Sequence, residues 1–251
     1  MEVTARKGFA VPPGRRVYAI GDIHGRDDLF AELIDKIRAD VTAQPPAEVT
    51  LVLLGDLVDR GPQSAEVVER AIGLRDVFPD TRLLIGNHEE CFLGALGGDV
   101  RKLRYFMRIG GEATVQSYWD DDVELSEVSF DYVADRFGKM VPQEHVDFLG
   151  RGEDVIEIGD YAFVHAGIRP GVPLQKQTLT DLRWIRDDFL DDARDHGMMI
   201  IHGHTIRSAV DEWPNRIGID TGAYRSGVLT AIVLEGTERR YLHTNGLAEA
   251  A

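Results

Sequence analysis

The chain has 251 residues, of which 43% are hydrophobic and 28% charged, with a formal net charge of −15 at pH 7. This length can bury one substantial core, so we expect a single domain over residues 1–251. The negative charge, without clustered Lys and Arg, argues against general nucleic-acid binding. No apolar run approaches the roughly 20 residues of a membrane span, no signal-peptide core is evident, and a single cysteine suits a reducing compartment. We therefore expect a cytoplasmic protein that does not bind membranes.

Apolar runs rich in β-branched residues predict five buried strands, at 17–20, 49–54, 82–85, 161–164 and 198–201. Two helix-like segments, 27–40 and 62–78, lie between the first three runs, and Pro62 suits a first helical turn. This β-α-β-α-β order predicts an α/β core with parallel strands.

Residues 90–150 have a different character. They lack a strong strand run and predict a helical insertion lying over the core. After it, further strands that close a second sheet are predicted at 216–220, 227–236 and 239–244. The predicted fold class is therefore α/β, with a two-sheet core flanked by helices and an insertion at about 90–150.

Metal-ligand residue types follow every one of the first five strand runs. The segments are GDIHG (21–25), GDLVDRG (55–61), GNHEE (86–90), HAG (165–167) and HGHT (202–205). One Gly-Asp pair alone is typical of a turn, but loops at the carboxyl ends of strands in α/β folds line a common site. The set of Asp, Asn and His suits Mn, Fe, Zn or Co better than Mg or Ca, which prefer oxygen ligands alone. The sequence therefore predicts a metal site.

These five segments resemble the motif series of the calcineurin-like metallophosphoesterases. The DRG at 59–61 and the GNHE at 86–89 resemble, more narrowly, the phosphoprotein phosphatase branch, which includes bacterial and phage Ser/Thr phosphatases and symmetrical dinucleoside tetraphosphatases. The resemblance runs from about residue 17 to 235 and implies a β-sandwich flanked by helices, in αββα layers.

The resemblance also implies a centre of two divalent metal ions, with manganese favoured and iron, zinc or cobalt as alternatives. One ion would be held by Asp22 and His24, the other by Asn87, His165 and His204, and Asp56 would bridge both. A carboxylate can bridge because it has two oxygens. A hydroxide bridging the ions would attack phosphorus in line.

The remaining catalytic roles come from the same resemblance. His88 is expected to be the general acid that protonates the leaving oxygen, oriented by Asp59. Arg60 and Arg186 are expected to hold the phosphoryl oxygens, with Arg183 as a competitor of Arg186.

The substrate class has three interpretations. We favour a phosphoester hydrolase acting on phosphoserine or phosphothreonine in proteins, with phosphotyrosine as a further substrate. The alternative is a dinucleoside polyphosphate hydrolase of the symmetrical diadenosine tetraphosphatase type. Such a substrate needs additional basic and aromatic residues, and the insertion offers Arg101, Lys102, Arg104, Tyr105 and Arg108. A non-catalytic scaffold of the same fold is a minor alternative, whose signature would be decayed motifs; here all of them are intact.

Overall fold

The computed structural model describes residues 8–245. The strands in this range are β1 (Arg15–Ile20), β2 (Glu48–Leu53), β3 (Asp80–Leu83), β4 (Ile156–Ile158), β5 (Tyr161–Phe163), β6 (Met199–His202), β7 (Asp211–Glu212), β8 (Arg216–Gly218), β9 (Thr230–Glu235) and β10 (Glu238–His243). The α-helices are α1 (Asp27–Ala43), α2 (Ser64–Gly73), α3 (Asn87–Ala95), α4 (Val100–Phe106), α5 (Glu112–Tyr118), α6 (Phe130–Met140), α7 (Gln143–Gly150), α8 (Leu179–Trp184), α9 (Asp187–Leu190) and α10 (Ala223–Ser226). None of the helices in this range combines the length and the apolarity needed to cross a bilayer.

The strands form two five-stranded sheets. The first has the order β10-β9-β1-β2-β3 and the second the order β4-β5-β6-β8-β7. β1, β2 and β3 are parallel neighbours, as the β-α-β-α-β order predicts. The second sheet contains a parallel set of its own, β5-β6-β8. Two mixed sheets flanked by helices confirm the predicted fold class.

The sequence-based placement of the last strands was partly wrong. β8 enters the second sheet, as predicted. β9 and β10 instead form a hairpin that extends the first sheet, with β9 antiparallel to β1. Both faces of β9 are buried, with Ile232 and Leu234 toward the other sheet and Ala231 and Val233 toward the helices, so the strand suits an inner position beside β1. β4 and β7, of three and two residues, are too short to give a periodic signal.

Alternation along β1 shows how the layers are built. Val17 and Ala19 join the apolar cluster between the two sheets, whereas Tyr18 and Ile20 join the cluster under α1, α2 and the insertion. All four are fully buried. A third cluster, which includes Phe189, packs α8 and α9 on the outer face of the second sheet. The layer order is therefore helices, sheet, sheet, helices.

Two predictions about the helices had different outcomes. The insertion is helical, as predicted: it contains α4 to α7, with a kink at Gly110 (φ 120°) between α4 and α5 and a longer connection between α5 and α6. Pro62 does not lie in the first turn of α2, which begins at Ser64. The backbone N–H of Gln63 donates instead to the carbonyl of Gly25 at 2.9 Å, so the residues before α2 form a loop that is hydrogen-bonded to the loop after β1.

Candidate active site

The loops after β1, β2, β3, β5 and β6 converge at one edge between the two sheets. They bring together the six side chains predicted as metal ligands, each 7% exposed or less: Asp22, His24, Asp56, Asn87, His165 and His204. Because parallel strands present their carboxyl ends on the same side, the topology creates this convergence.

The backbone is strained at this edge. Within residues 8–245, all the non-glycine residues with positive φ belong to the predicted site: His24 (49°), Asp56 (50°), Asp59 (73°), Arg60 (72°) and His204 (62°). Such conformations cost about 1–3 kcal/mol each and persist only where the surroundings impose them. The strain coincides with side chains that must point into a small volume.

Two glycines allow the loops to approach closely. A Cβ on Gly86 would lie 2.1 Å from an Asp56 carboxylate oxygen, and a Cβ on Gly203 would lie 2.0 Å from an Asp22 carboxylate oxygen. Neither position can therefore carry a side chain without moving a predicted metal ligand.

Backbone carbonyls orient two of the imidazoles. Nδ1 of His24 lies 2.8 Å from the Val58 carbonyl, and Nδ1 of His165 lies 2.8 Å from the Leu54 carbonyl. Their Nε2 atoms consequently face Asp56, at 3.5 and 3.4 Å from its two carboxylate oxygens. Burial lowers the pKa of His24 well below its ordinary value and that of His165 to about 4. Both rings are thus neutral at pH 7, the form that binds metals.

The donor atoms fit a pair of cations. Potential ligand atoms form two groups, and within each group the atoms lie within 4.8 Å of one another. The groups are His24–Asp56–His88 and Asp56–His165–His204, so Asp56 belongs to both. The Nε2 atoms of His24 and His204 are buried and have no hydrogen-bond partner among residues 8–245. Unpartnered buried polar atoms are costly, so bound cations would satisfy what the protein leaves open.

Asp22 and Asn87 complete the set of predicted metal ligands. The Asp22 carboxylate accepts from the backbone N–H of His204 at 3.0 and 3.2 Å. Burial, then the neighbouring Asp220 and Asp56 carboxylates, raises the pKa of Asp22 well above its ordinary value. Asn87 Oδ1 lies 3.1 Å from His165 Nε2, within the second group. Such crowding of buried carboxylates favours divalent cations as partners.

His88, Asp59 and Arg60 form a connected set. His88 Nδ1 lies 2.5 Å from an Asp59 carboxylate oxygen, and its Nε2 lies 3.0 Å from the Arg60 guanidinium. Burial raises the pKa of Asp59 to about 8, although the hydrogen bond from Thr114 and the charge of Arg60 lower it. Burial also lowers the pKa of His88. This geometry suits the predicted pairing of His88 with Asp59, while Nε2 also lies close enough to Asp56 and His24 to serve as a ligand.

The structure adds residues that the sequence analysis did not single out. Thr114, from the insertion, donates to the second Asp59 oxygen at 2.6 Å and accepts from the Asp59 N–H at 2.8 Å. The Gly110 carbonyl accepts from the Arg60 N–H at 3.0 Å. Glu89 accepts from the backbone N–H groups of Asp56 and Gly86, which fixes the β2 and β3 loops together. Only Glu89 lies in a motif; nothing local marks the two insertion residues.

The candidate arginines differ in their surroundings. Arg183 is engaged by Asp154 at 2.7 Å and by Glu90 at 3.4 Å. Arg186 is exposed and makes no salt bridge among residues 8–245. After burial, both arginines contribute to lowering the pKa of His165, and Arg186 also contributes to lowering that of His204. Of the two, Arg186 is therefore the guanidinium that remains available to a ligand.

Tyr224 borders the site beside Arg60 and His24. Its ring lies 4.9 Å from the Arg60 guanidinium carbon and packs edge-on against His24 at 5.5 Å. Tyr224 thus helps to place Arg60 beside the predicted metal ligands.

Comparison with known proteins places this geometry in a family. The model of the calcineurin-like phosphoesterase family matches residues 15–225. A symmetrical bis(5'-nucleosyl)-tetraphosphatase of Acidovorax ebreus is 43% identical over 88 residues, which cover 35% of this chain and 28% of that protein. The Chromobacterium violaceum protein of the same name is 31% identical over 160 residues, which cover 64% of this chain and 46% of that protein. The matched part spans less than half the length of each of these two curated relatives.

Solved structures agree on the fold. A candidate diadenosine tetraphosphatase superposes with a TM-score of 0.62 at 23% identity, covering 95% of this chain and 99% of that one. The cold-active protein tyrosine phosphatase of a psychrophilic Shewanella species superposes with a TM-score of 0.55 at 20% identity, covering 93% and 83%. Since the family model spans most of the chain, and both sheets and the converging loops match this fold, the chain belongs to the calcineurin-like phosphoesterase family.

Proposed function

We propose that the protein is a metal-dependent phosphoester hydrolase and that dinucleoside tetraphosphates are its substrates. The observation that carries the hydrolase proposal is the position of Asp56, which is shared by two groups of imidazole and carboxylate ligands and lies beside the His88–Asp59 pair. A centre of this kind combines metal ligands with a candidate proton donor.

The proposed ligand assignment keeps Asp56 as the bridge. Asp22 and His24 complete one site, and Asn87, His165 and His204 the other. Two divalent ions, with manganese favoured, would lower the pKa of a bound water and offset the charge of the phosphate. Buried carboxylates and a net charge of −15 would otherwise repel an anionic substrate. We keep the cytoplasm as the proposed compartment.

The chain's own groups then bind the phosphoryl group and deliver a proton. Arg60 and Arg186 provide guanidinium donors for the phosphoryl oxygens, and these donors stabilise the charge of the transition state. His88 donates from Nε2 to the leaving oxygen, because Nδ1 is held by Asp59. Burial, which lowers the pKa of His88, makes its imidazolium a stronger acid.

The choice of substrate rests on the sequence relatives. Both curated relatives described above carry the name of a symmetrical tetraphosphatase, whereas the similarity to protein phosphatases is one of fold at low identity. The insertion supplies basic and aromatic side chains beyond the phosphoryl-binding arginines, which a long anionic substrate with two bases requires.

A phosphoprotein phosphatase acting on phosphoserine or phosphothreonine is the second candidate. Arg60, Arg186 and His88 address only the phosphoryl group and its leaving oxygen, so the centre itself tolerates many leaving groups. This feature favoured the protein phosphatase from the sequence alone.

One parallel assay tests both candidates. The purified protein with added Mn²⁺ is given diadenosine tetraphosphate, phosphoserine and phosphotyrosine peptides, and p-nitrophenyl phosphate. We expect two ADP molecules from each tetraphosphate, with a higher kcat/KM than for any peptide, and loss of all activity on chelation. A higher kcat/KM for the peptides would favour the second candidate. Activity after complete metal removal would refute the metal-dependent mechanism.

A further inference from the structure

A cavity of about 630 Å³ lies between α3 and α4, outside the set of residues assigned above. Its lining residues are Glu90, Cys91, Gly94, Asp99, Arg101, Lys102 and Tyr105. This volume is typical of sites for small organic ligands. It is large enough for a nucleotide.

The cavity begins close to the proposed metal centre. α3 starts at Asn87, one of the proposed ligands, and the same helix contributes Glu90, Cys91 and Gly94 to the cavity wall. A helix rises about 1.5 Å per residue, so these three positions lie roughly 4.5 to 10.5 Å along the axis from Asn87. A ligand with a phosphate at the metal centre could therefore extend into the cavity.

The acidic residues of the cavity are already engaged. The Asp99 side chain accepts from the backbone N–H groups of Arg101 and Lys102 at the start of α4. Glu90 accepts from the Trp184 indole at 3.2 Å and pairs with Arg183 at 3.4 Å. Their charge is thus partly offset by protein groups.

The cationic and aromatic residues are available to a ligand. The Arg101 side chain is 93% exposed, and its one salt bridge within the described part of the chain is to Asp99 at 3.7 Å. Lys102 makes no salt bridge within residues 8–245. Tyr105 is 49% exposed although it is a large aromatic residue. Cations for phosphate oxygens and a ring for a base therefore lie side by side on an acidic protein.

We propose that the cavity between α3 and α4 binds the nucleoside end of a nucleoside polyphosphate whose scissile phosphate lies at the metal centre, with Arg101 and Lys102 on its phosphates and Tyr105 against its base. This inference rests on the proposed function, since it names the part of the substrate that the catalytic residues do not hold. A nucleoside diphosphate, the product of symmetrical cleavage, should occupy the same place.

Binding of ADP to the Mn²⁺-loaded protein, measured by calorimetry, tests the cavity without turnover. Stacking of a base on an aromatic side chain is worth enough that Tyr105→Ala should weaken ADP binding by about 5- to 150-fold. Lys102→Ala should weaken it as well, and inorganic phosphate should bind both variants as it binds the wild type. The matched controls are Tyr132→Ala and Lys139→Ala, which remove exposed residues of the same types from α6 of the insertion; they should leave ADP binding unchanged.

The possible results distinguish a failure of the cavity proposal from a failure of the proposed function. Equal ADP affinity in Tyr105→Ala, Lys102→Ala and the wild type, or no ADP binding at all, would overturn the cavity proposal even if the tetraphosphate is hydrolysed. Weaker ADP binding in both cavity variants, in a protein that does not hydrolyse the tetraphosphate, would support the cavity and refute the substrate proposal. An equal loss of ADP and phosphate binding would place the effect at the metal centre and contradict the inference.

Discussion

The position of His88 is compatible with two roles, metal ligand and general acid. Its Nε2 lies 4.0 Å from an Asp56 oxygen, within reach of a metal, while its Nδ1 is bound to Asp59 at 2.5 Å. A metal ligand and a proton donor make different demands on this nitrogen, since a ligand must be unprotonated and an acid must carry a proton. The two roles therefore predict different consequences when the imidazole is removed.

For His88→Asn we expect a loss that depends on the leaving group. General acid catalysis is typically worth about 10²–10⁴-fold, so phenyl phosphate, with its basic leaving group, should lose roughly that factor in kcat/KM. p-Nitrophenyl phosphate should lose much less, because p-nitrophenolate leaves well without a proton. Metal analysis should still find two ions per chain. Equal losses on both esters, or loss of one ion, would mean that His88 is a ligand.

A substitution of Thr114 tests whether Asp59 positions His88 for catalysis. Thr114→Val keeps the shape of the side chain but removes the hydroxyl that bonds Asp59 on both its carboxylate and its N–H. Loss of a partner of this kind typically costs about 10- to 100-fold. We expect such a drop on phenyl phosphate and a smaller one on p-nitrophenyl phosphate, with Thr114→Ser restoring most of the activity. A drop that is the same for both esters, or that Ser does not rescue, would indicate a purely structural role.

The difference between Asp22 and Thr114 shows which site residues a sequence reveals. Asp22 stands directly after a strand run, in a short glycine-bounded segment, so its neighbours in the chain announce its position. Thr114 lies 55 residues from Asp59 and meets it only because the insertion folds back over the β2 loop. Contacts of that kind depend on tertiary packing, which no local pattern encodes.

At the scale of elements, the same limit governs the sheets. The strand runs and the parallel order of β1, β2 and β3 follow from apolar periodicity and from the helices between them. The place of β9 and β10 does not, because a strand that is buried on both faces fits either sheet. Pairing of β9 with β1 places it in the first sheet, with Val17 beside Leu234 and Ala19 beside Ile232. These partners are 217 and 213 positions apart in the chain and therefore leave no local signal.

Asp40 joins three of these elements and gives a stability prediction. From α1 it accepts from the buried Tyr18 hydroxyl of β1 at 2.6 Å and from the Arg240 guanidinium of β10 at 2.7 and 3.0 Å. The bond from Arg240 outweighs burial and lowers the pKa of Asp40. Asp40→Asn should therefore reduce the free energy of unfolding at pH 7 by about 1–3 kcal/mol, as expected for hydrogen bonds to a charged group.

The pH dependence follows from the direction of that shift. A carboxyl whose pKa is lower in the folded state stabilises the protein above the unfolded pKa of about 3.9, and this stabilisation is lost as the pH falls through the folded pKa. The difference between wild type and Asp40→Asn in urea unfolding should thus be constant from pH 7 to 5 and shrink near pH 4 and below. Asp35→Asn, on the same helix with an exposed ion pair at 3.5 Å, is the control and should change little. An equal effect of both variants would contradict the role of Asp40.

At the scale of the whole molecule, the proposed metal centre lies across the junction of the two sheets. Asp22, His24, Asp56 and Asn87 follow strands of the first sheet, whereas His165 and His204 follow strands of the second. The apolar cluster between the sheets holds the layers together elsewhere. At the edge, however, the facing groups are polar and their backbone is strained, and the Nε2 atoms of His24 and His204 find no hydrogen-bond partner among residues 8–245. Bound cations would therefore join the sheets where apolar packing does not.

Metal removal should therefore lower stability as well as activity. A ligand that binds only the folded state at 100 times its Kd stabilises by about 2.7 kcal/mol, which for a chain of this size raises Tm by roughly 5–10 °C per site. We expect thermal unfolding of the chelated protein to shift upward with each increment of Mn²⁺ and then to saturate. Asp56→Asn weakens the bridge between the ions. The chelated variant should still unfold cooperatively, which shows that it is folded, but the rise of its Tm with Mn²⁺ should largely disappear. Lys139→Ala, far from the proposed ligands on α6, should keep the full rise. A Tm that does not respond to Mn²⁺ in the wild type, or a full rise in Asp56→Asn, would show that the ions do not join the sheets through Asp56.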